Sequence, residues 1–381
     1  MKKKKIIYIS FYDVPENYNE NRQSNLAAKN KIDYICNVLV KNNYKIEIVS
    51  PSWTNNTSGF YKGSKKKISE DITLKTFATF GGKTKIQRVI KYLFSLIQLF
   101  FYLLVKSKKN EPIILYHSVI LYLPVRLAKT IKKFNLILEV EEIYQDIQDS
   151  SIFLRKSEYN AFKNADKYLL STQLLNNIVN SENKPYKIIY GTYNVEEYRK
   201  VRFNDDKVHV VYAGTFDPRK GGAIAAAAAE YLPNNYHVHI IGFGSKEEVE
   251  NIQKTVEDIN KKTEATVTYD GLLRGEEYIN FLQKCHIGLS TQIPDAEYNE
   301  TSFPSKILSY MANGLRVVSV RIKAIEISAV GNAVYYYEEQ NPKTIAKAIM
   351  SINLNEPYDS RKIIKELDEE FTKEINELLR C

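Results

Sequence analysis

The chain has 381 residues, 44% of them hydrophobic and 26% charged, with a formal net charge of +9. That is enough apolar matter for two packed domains, and it excludes a disordered or fibrous chain. The three cysteines, Cys36, Cys285 and Cys381, are odd in number and far apart, which excludes a disulfide framework and fits a reducing compartment.

Taken in order, Lys2 to Lys5 precede only about six apolar residues, too few for a secretory signal. Lys5 to Ser10 reads as a strand, and a long polar loop carrying Asp13, Glu16 and Arg22 follows. Asn25 to Asn42 places Leu26, Ile32, Ile35, Val38 and Leu39 on one helical face, and Tyr44 to Val49 is a second strand. This βαβ opening implies a parallel sheet with right-handed crossovers, and ligands at the carboxyl ends of its strands. Residues 52–82 read as irregular. Gly81-Gly82-Lys83-Thr84 is not a phosphate loop, because the required earlier glycine position holds Phe77.

Residues 1–130 carry 23 Lys and Arg against 8 Asp and Glu, so the basic excess lies in the first third. An anionic partner is expected there. Nucleic acid is not, since no helix-turn-helix, zinc or RNA-binding pattern accompanies the charge. The apolar stretch Val89 to Val105 is flanked by Lys83, Lys85, Arg88, Lys106, Lys108 and Lys109. Its uninterrupted part is shorter than the about 20 residues that span a bilayer. It is either a buried helix or an interfacial one whose basic flanks sit among lipid headgroups.

Further strands are expected at Ile113 to Tyr116, Leu136 to Val140, Tyr168 to Leu170 and Lys187 to Tyr190, with a helix at Leu121 to Lys133. A second series starts at Val208 to Ala213. It runs through an alanine-rich helix from Ala223 to Glu230, a strand His237 to Ile241 closed by Gly242 and Gly244, a helix, a strand Val267 to Asp270, a helix and a strand Ile287 to Ser290. Residues 301–320 then read as loop, short helix and strand, with Pro304 at the helix start, Ser305 as its cap and Gly314 as its left-handed end. A helix start directs unpaired N–H groups at an anion. Ser360 to Leu379 is a charged amphipathic helix. The fold class expected is α/β, with two Rossmann-like doubly wound domains facing a cleft. The first spans residues 1–195, with helix 360–381 packing back on it, and the second spans 196–359. His237 and His239 share a strand face without a companion ligand, and Cys285 and His286 read as core, so no metal is expected.

Three segments, GTFDPRKGG at 214–222, IGFG at 241–244 and TSFPSKILSYMANGLRVVS at 301–319, resemble the group-1 glycosyltransferases of the two-Rossmann (GT-B) fold. LEVEEIYQD at 138–146 resembles a first-domain segment of that family, with Glu142 and Tyr144 at its acidic and aromatic positions. The resemblance implies hexosyl transfer from a nucleotide-diphosphate sugar with retention, and no cofactor beyond that substrate. Lys220 and Arg219 would hold the phosphates, joined by Gly214, Thr215, Gly242, Ser302, Pro304, Ser305, Lys306 and Ser309. Glu300 would meet sugar hydroxyls, and His117 and Glu142 would serve the acceptor. Two positions depart from the family. Thr215 stands where an arginine is usual, and Ser309 stands where the second of two glutamates is usual.

The expected role is therefore a cytoplasmic transferase at the inner face of the membrane, touching it through 83–109 and extending a glycan or lipid-linked acceptor for bacterial surface polysaccharide. A non-catalytic partner of an active transferase and a sugar-nucleotide epimerase are the alternatives.

Overall fold

The computed structural model describes residues 3–24, 26–143, 152–294, 299 and 301–380, with side chains also left aside at 26–27 and 152–154. It comprises two compact units, Met1–Tyr190 with Glu370–Cys381, and Gly191–Glu369.

The first unit is built on an eight-stranded sheet in the order Tyr186–Ile188, Lys167–Leu170, Asn135–Val140, Pro112–Tyr116, Lys4–Ile9, Tyr44–Ser50, Ile72–Thr76, Lys65–Lys67. All neighbours are parallel except the last pair. Its central strands are continuous apolar runs, as burial on both faces demands. Ile6, Ile9, Ile48, Ile114 and Leu138 are all fully buried. The helix Leu26–Lys41 covers one face and buries Ile32, Ile35, Val38 and Leu39. The 52–82 segment is not irregular. Its lysines and glycines hide an alternation, Ile72 and Leu74 inward against Thr73 and Lys75 part-exposed, that adds a parallel strand beside Tyr44–Ser50. Gly81 to Thr84 serves as a helix entry, with Thr84 and Gln87 forming a capping box.

The second unit is a six-stranded, wholly parallel sheet in the order Thr266–Gly271, Tyr236–Phe243, Val208–Thr215, Ile287–Ser290, Arg316–Val320, Val334–Tyr337. The alanine-rich helix runs only from Gly222 to Ala227 and tightens into a 3₁₀ turn, Ala228–Tyr231. Ala225, Ala226, Ala228 and Ala229 are fully buried, the close approach that small side chains permit.

The chain changes units at Tyr190 and Gly191, just after the last strand of the first sheet, a few residues before the expected 195. The closing helix Ser360–Arg380 has a buried stripe of Ile364, Leu367, Phe371, Ile375 and Leu378. Its residues to Glu369 count with the second unit, where Ser360 Oγ donates to Met311 O at 2.9 Å. The remainder belongs to the first, where Phe371 stacks on Tyr34 at 6.0 Å.

Candidate functional site

In an open parallel sheet, ligands collect where the strand order reverses, beyond the carboxyl ends of the two diverging strands. In the second unit those strands are Val208–Thr215 and Ile287–Ser290, which pair with each other although distant in sequence. Gly214 and Thr215 end the first, and Ser290 leads to Thr291 at the end of the second.

Three backbone devices shape this end. Gly221 has φ +80°, and a Cβ there would lie 1.7 Å from Thr291 O. Thr291 is fully buried and donates its hydroxyl to Gly221 O at 2.7 Å. Gly242, with φ +146°, would press a Cβ to 1.7 Å from Gly214 O, so its lack of a side chain serves the approach of two strands. Gly214 is different: what a Cβ would meet there, at 3.1 Å, is Lys306 Nζ.

That ammonium is the central group of the site. Nζ of Lys306 is buried and has no hydrogen-bond partner among the described residues. It sits 4.0 Å from the ring centroid of Tyr212, a cation–π contact. Burial, reinforced by the charge of Lys220, pulls its pKa from the ordinary 10.5 to about 7. Tyr212 is anchored in turn, its hydroxyl donating to Thr215 O at 2.8 Å and Lys220 O at 3.1 Å. Tyr310, also fully buried, accepts from Ala213 N at 2.8 Å and donates to Leu289 O at 3.2 Å, tying the short helix to both diverging strands. Lys220, 86 residues earlier in the chain, adds its charge to this ammonium. An anion beside Lys306 Nζ stabilises it, because uncompensated buried charge is costly.

The expected donor-side residues divide accordingly. Gly214, Lys220 and Lys306 are brought together. Thr215 caps the strand, and its carbonyl holds Tyr212. Arg219 is turned onto Asp217, 2.6 Å away, and most of its side chain is in solvent. The helix spans Lys306–Ala312, and Ser305 is not its side-chain cap: its backbone is already helical and its hydroxyl makes no cap bond. Pro304 instead accepts the Ile307 N–H at 3.0 Å. Ser302 and Pro304 are half-buried in the loop before the helix. Ser309 lies 3.3 Å from the Tyr278 hydroxyl, filling with a neutral contact the place where the family resemblance anticipates a carboxylate. Gly314 has φ +89°, as its C-terminal position requires. Glu300 and Tyr144 lie outside the described residues.

In the first unit the order reverses between Lys4–Ile9 and Pro112–Tyr116, and His117 follows the second of these. It is only 2% exposed, with Nε2 3.3 Å from Glu158 and its ring against Phe162. Burial lowers its pKa to about 4, partly offset by a hydrogen bond to the Glu142 main chain. His117 is therefore a neutral, packed residue, and Glu142 reaches it through backbone rather than carboxylate. Sequence reasoning overlooked Glu139. It is fully buried in Asn135–Val140 and accepts a hydrogen bond from Tyr8. Burial first, and then the charge of Glu141, raise its pKa to about 8. Lys31 pairs with Glu141 at 2.5 Å beside it. The available signal was an acidic residue inside an otherwise apolar LILEV run.

Residues 207–354 match the family model described as Glycosyl transferases group 1. The second unit is a group 1 glycosyltransferase domain. Among solved structures, a trehalose-6-phosphate synthase, OtsA, superposes with a TM-score of 0.69 at 11% identity, covering 99% of this chain and 97% of that one. The lipopolysaccharide outer core galactosyltransferase WaaB gives 0.62 at 15% identity, with 98% of both chains covered. A glycosyltransferase from Rickettsia africae ESF-5 gives 0.62 at 12%, covering 100% and 97%. A search of curated protein sequences finds no match. The chain has the GT-B glycosyltransferase fold, and its strand-end lysines lie inside the matched domain.

Proposed function

We propose that the protein transfers a hexosyl group from a nucleotide-diphosphate sugar to a lipid-linked glycan held at a membrane surface. The observation that carries this reading is the buried Lys306 ammonium, unpartnered among the described residues, beside Gly214 and within electrostatic reach of Lys220. Gly214 leaves open the space that a diphosphate needs to approach it. In the reaction, the bond from the anomeric carbon to the diphosphate oxygen breaks as an acceptor oxygen bonds to that carbon. Negative charge grows on the departing diphosphate. The preplaced Lys306 ammonium, with the charge of Lys220 nearby, stabilises that growing charge more than the ground state, which is what lowers the barrier. Retention of configuration is our expectation; the structural study of a trehalose-6-phosphate synthase of similar fold is described as glycosyl transfer with retention.

The acceptor-side proposal rests on the first unit's surface. The helix Lys85–Lys106 turns Lys91, Ser95, Leu99 and Leu103 inward. Lys91 Nζ donates to Thr54 O at 2.6 Å, and Ser95 bonds Pro51 O. Its outward stripe is Ile86, Ile90, Leu93, Ile97 and Phe101, each more than half exposed. The adjoining helix Val119–Lys132 exposes Ile120, Leu123, Leu127 and Ile131. By length and composition the first of these helices could cross a membrane, but its Leu99 and Leu103 belong to the packed core under the sheet. Apolar stripes on two neighbouring helices, flanked by lysines, suit an anionic lipid surface lying against them.

The test is nucleotide release from a panel of nucleotide-sugars, with and without lipid-linked glycans, for wild type and Lys306→Ala. Release that requires Lys306 supports the reading. No release, no thermal shift with any nucleoside diphosphate, and co-purification with another transferase would replace it with a non-catalytic partner role. Turnover of the sugar nucleotide without any acceptor would replace it with an epimerase.

A further inference from the structure

Four of the chain's five histidines lie together at the opposite, amino-terminal end of the second sheet. His209 is the second residue of Val208–Thr215, and His237 and His239 belong to Tyr236–Phe243. Register pairs His209 with His237. Side chains two apart share a face, so all three rings lie on one side of the sheet. One nitrogen from each ring lies within 4.8 Å of the others. Phe203 covers the group, its ring 3.9 Å from that of His209 and 4.9 Å from that of His239. Phe281 meets His239 edge-on at 5.1 Å.

The surrounding hydrogen bonds dictate which nitrogens are bare. Asp205 holds His209 Nε2 at 2.7 Å, and Asp270 holds His239 Nδ1 at 3.0 Å. A carboxylate only accepts, so each of those nitrogens carries the proton of its neutral ring. Thr268 gives its own hydroxyl proton to Asp270 at 2.7 Å, so it accepts from His237 Nε2 at 3.0 Å. Each neutral ring is then left with one lone pair and an outer N–H fixed by an oxygen. His209 Nδ1 and His239 Nε2 face each other at 2.9 Å. Two facing lone pairs repel unless a cation lies between or beside them. Imidazoles whose far N–H groups are held by carboxylate or hydroxyl oxygens are how proteins present nitrogen to zinc.

We propose that His209, His237 and His239 form a binding site for one divalent transition-metal ion of the zinc class, with Asp205, Asp270 and Thr268 orienting the rings and water completing the coordination. At about 2.0–2.1 Å per bond, tetrahedral zinc sets its ligand nitrogens about 3.3 Å apart. The His209–His239 pair therefore opens by a few tenths of an ångström. The ion ties together two neighbouring strands, and through Thr268 and Asp270 a third. Its ligands lie three to five residues along the strands from the level of Gly214, roughly 10–17 Å. Its role is to hold the sheet, not to act on the sugar, so it stands independently of the transfer reaction.

The experiment uses full-length, tag-free protein stripped with a chelator and titrated with Co²⁺, then with Zn²⁺. The expected result is a tetrahedral Co²⁺ absorption saturating at one ion per chain, displaced by Zn²⁺, with a rise in melting temperature on adding Zn²⁺. His239→Ala and His209→Ala should abolish the spectrum. Asp270→Asn should weaken binding by about 10–100-fold. His286→Asn should leave binding intact: its Nδ1 accepts the His209 backbone N–H at 3.0 Å and lies outside the set. Should the alanine variants fail to fold by circular dichroism, His237→Gln, at a half-buried position, reads the same loss. A wild-type protein that shows no Co²⁺ spectrum overturns the proposal. So does a spectrum that survives the histidine substitutions.

Discussion

Replacing Lys306 with methionine removes the buried ammonium while keeping an unbranched apolar stem of similar length. A lysine whose pKa falls from 10.5 to about 7 on folding imposes at pH 7 a penalty of at most about 4 kcal/mol. Part of the side chain is exposed, so solvent relaxation reduces this to roughly 1–3 kcal/mol. Lys306→Met should therefore stabilise the ligand-free protein. At about 2–4 °C per kcal/mol for a domain of this size, its melting temperature should rise by roughly 2–12 °C. The penalty is fully present below pH 7 and fades as pH rises toward 10.5, because above pH 7 the unfolded chain binds the extra proton. The gap between variant and wild type should therefore shrink between pH 7 and pH 9.5. Binding moves the other way. One charge-assisted hydrogen bond to phosphate is worth about 1.5–3 kcal/mol, so nucleoside diphosphate affinity should fall about 10- to 150-fold. With the pKa near 7, wild type should take up about half a proton per nucleotide bound at pH 7. Calorimetry in buffers of different ionisation enthalpy reads this directly. A variant that melts lower than wild type and binds nucleotide equally well would refute the reasoning.

Three further outcomes are expected. Leu93→Glu with Phe101→Glu should abolish co-sedimentation with vesicles rich in anionic lipid without lowering the melting temperature, since both side chains are more than half exposed; unchanged sedimentation removes the membrane contact. Gly221→Ala should destabilise the second unit by more than the about 1–2 kcal/mol of a left-handed residue, because its Cβ also meets Thr291 O; denaturant unfolding measures this, and a loss under 0.5 kcal/mol contradicts the turn geometry. Glu139 holds its proton to about pH 8 when folded and to its ordinary 4.5 when unfolded, so its contribution weakens as pH rises through that window, by up to about 1.4 kcal/mol per pH unit. Glu139→Gln should flatten that slope between pH 5 and 8, and an unchanged slope would show the carboxyl to be ionised.

Much of this molecule was legible in one dimension. The alternation of apolar strands and amphipathic helices determined two parallel α/β series. Strands such as Lys4–Ile9 and Ile287–Ser290 fall within a residue of expectation, because burial on both faces demands a continuous apolar run. Glycine at 314 marked a turn that only a residue without Cβ adopts easily. Other features needed distances. Ile72–Thr76 is a strand because a neighbour accepts its backbone bonds, which its lysine-rich surroundings do not announce. The long apolar helix could have turned either face inward; packing against the sheet placed Leu99 inside and Phe101 outside. Lys306 looked like one residue of a helix start. It becomes an anion-seeking cation only where strand order brings Gly214, Tyr212 and Lys220 beside it. His237 and His239 lacked a companion along the chain, and parallel pairing supplies His209 across the sheet. Period and composition are local properties, so sequence carries them. Charge burial and ligand geometry depend on which distant segments become neighbours, and only the folded chain decides that.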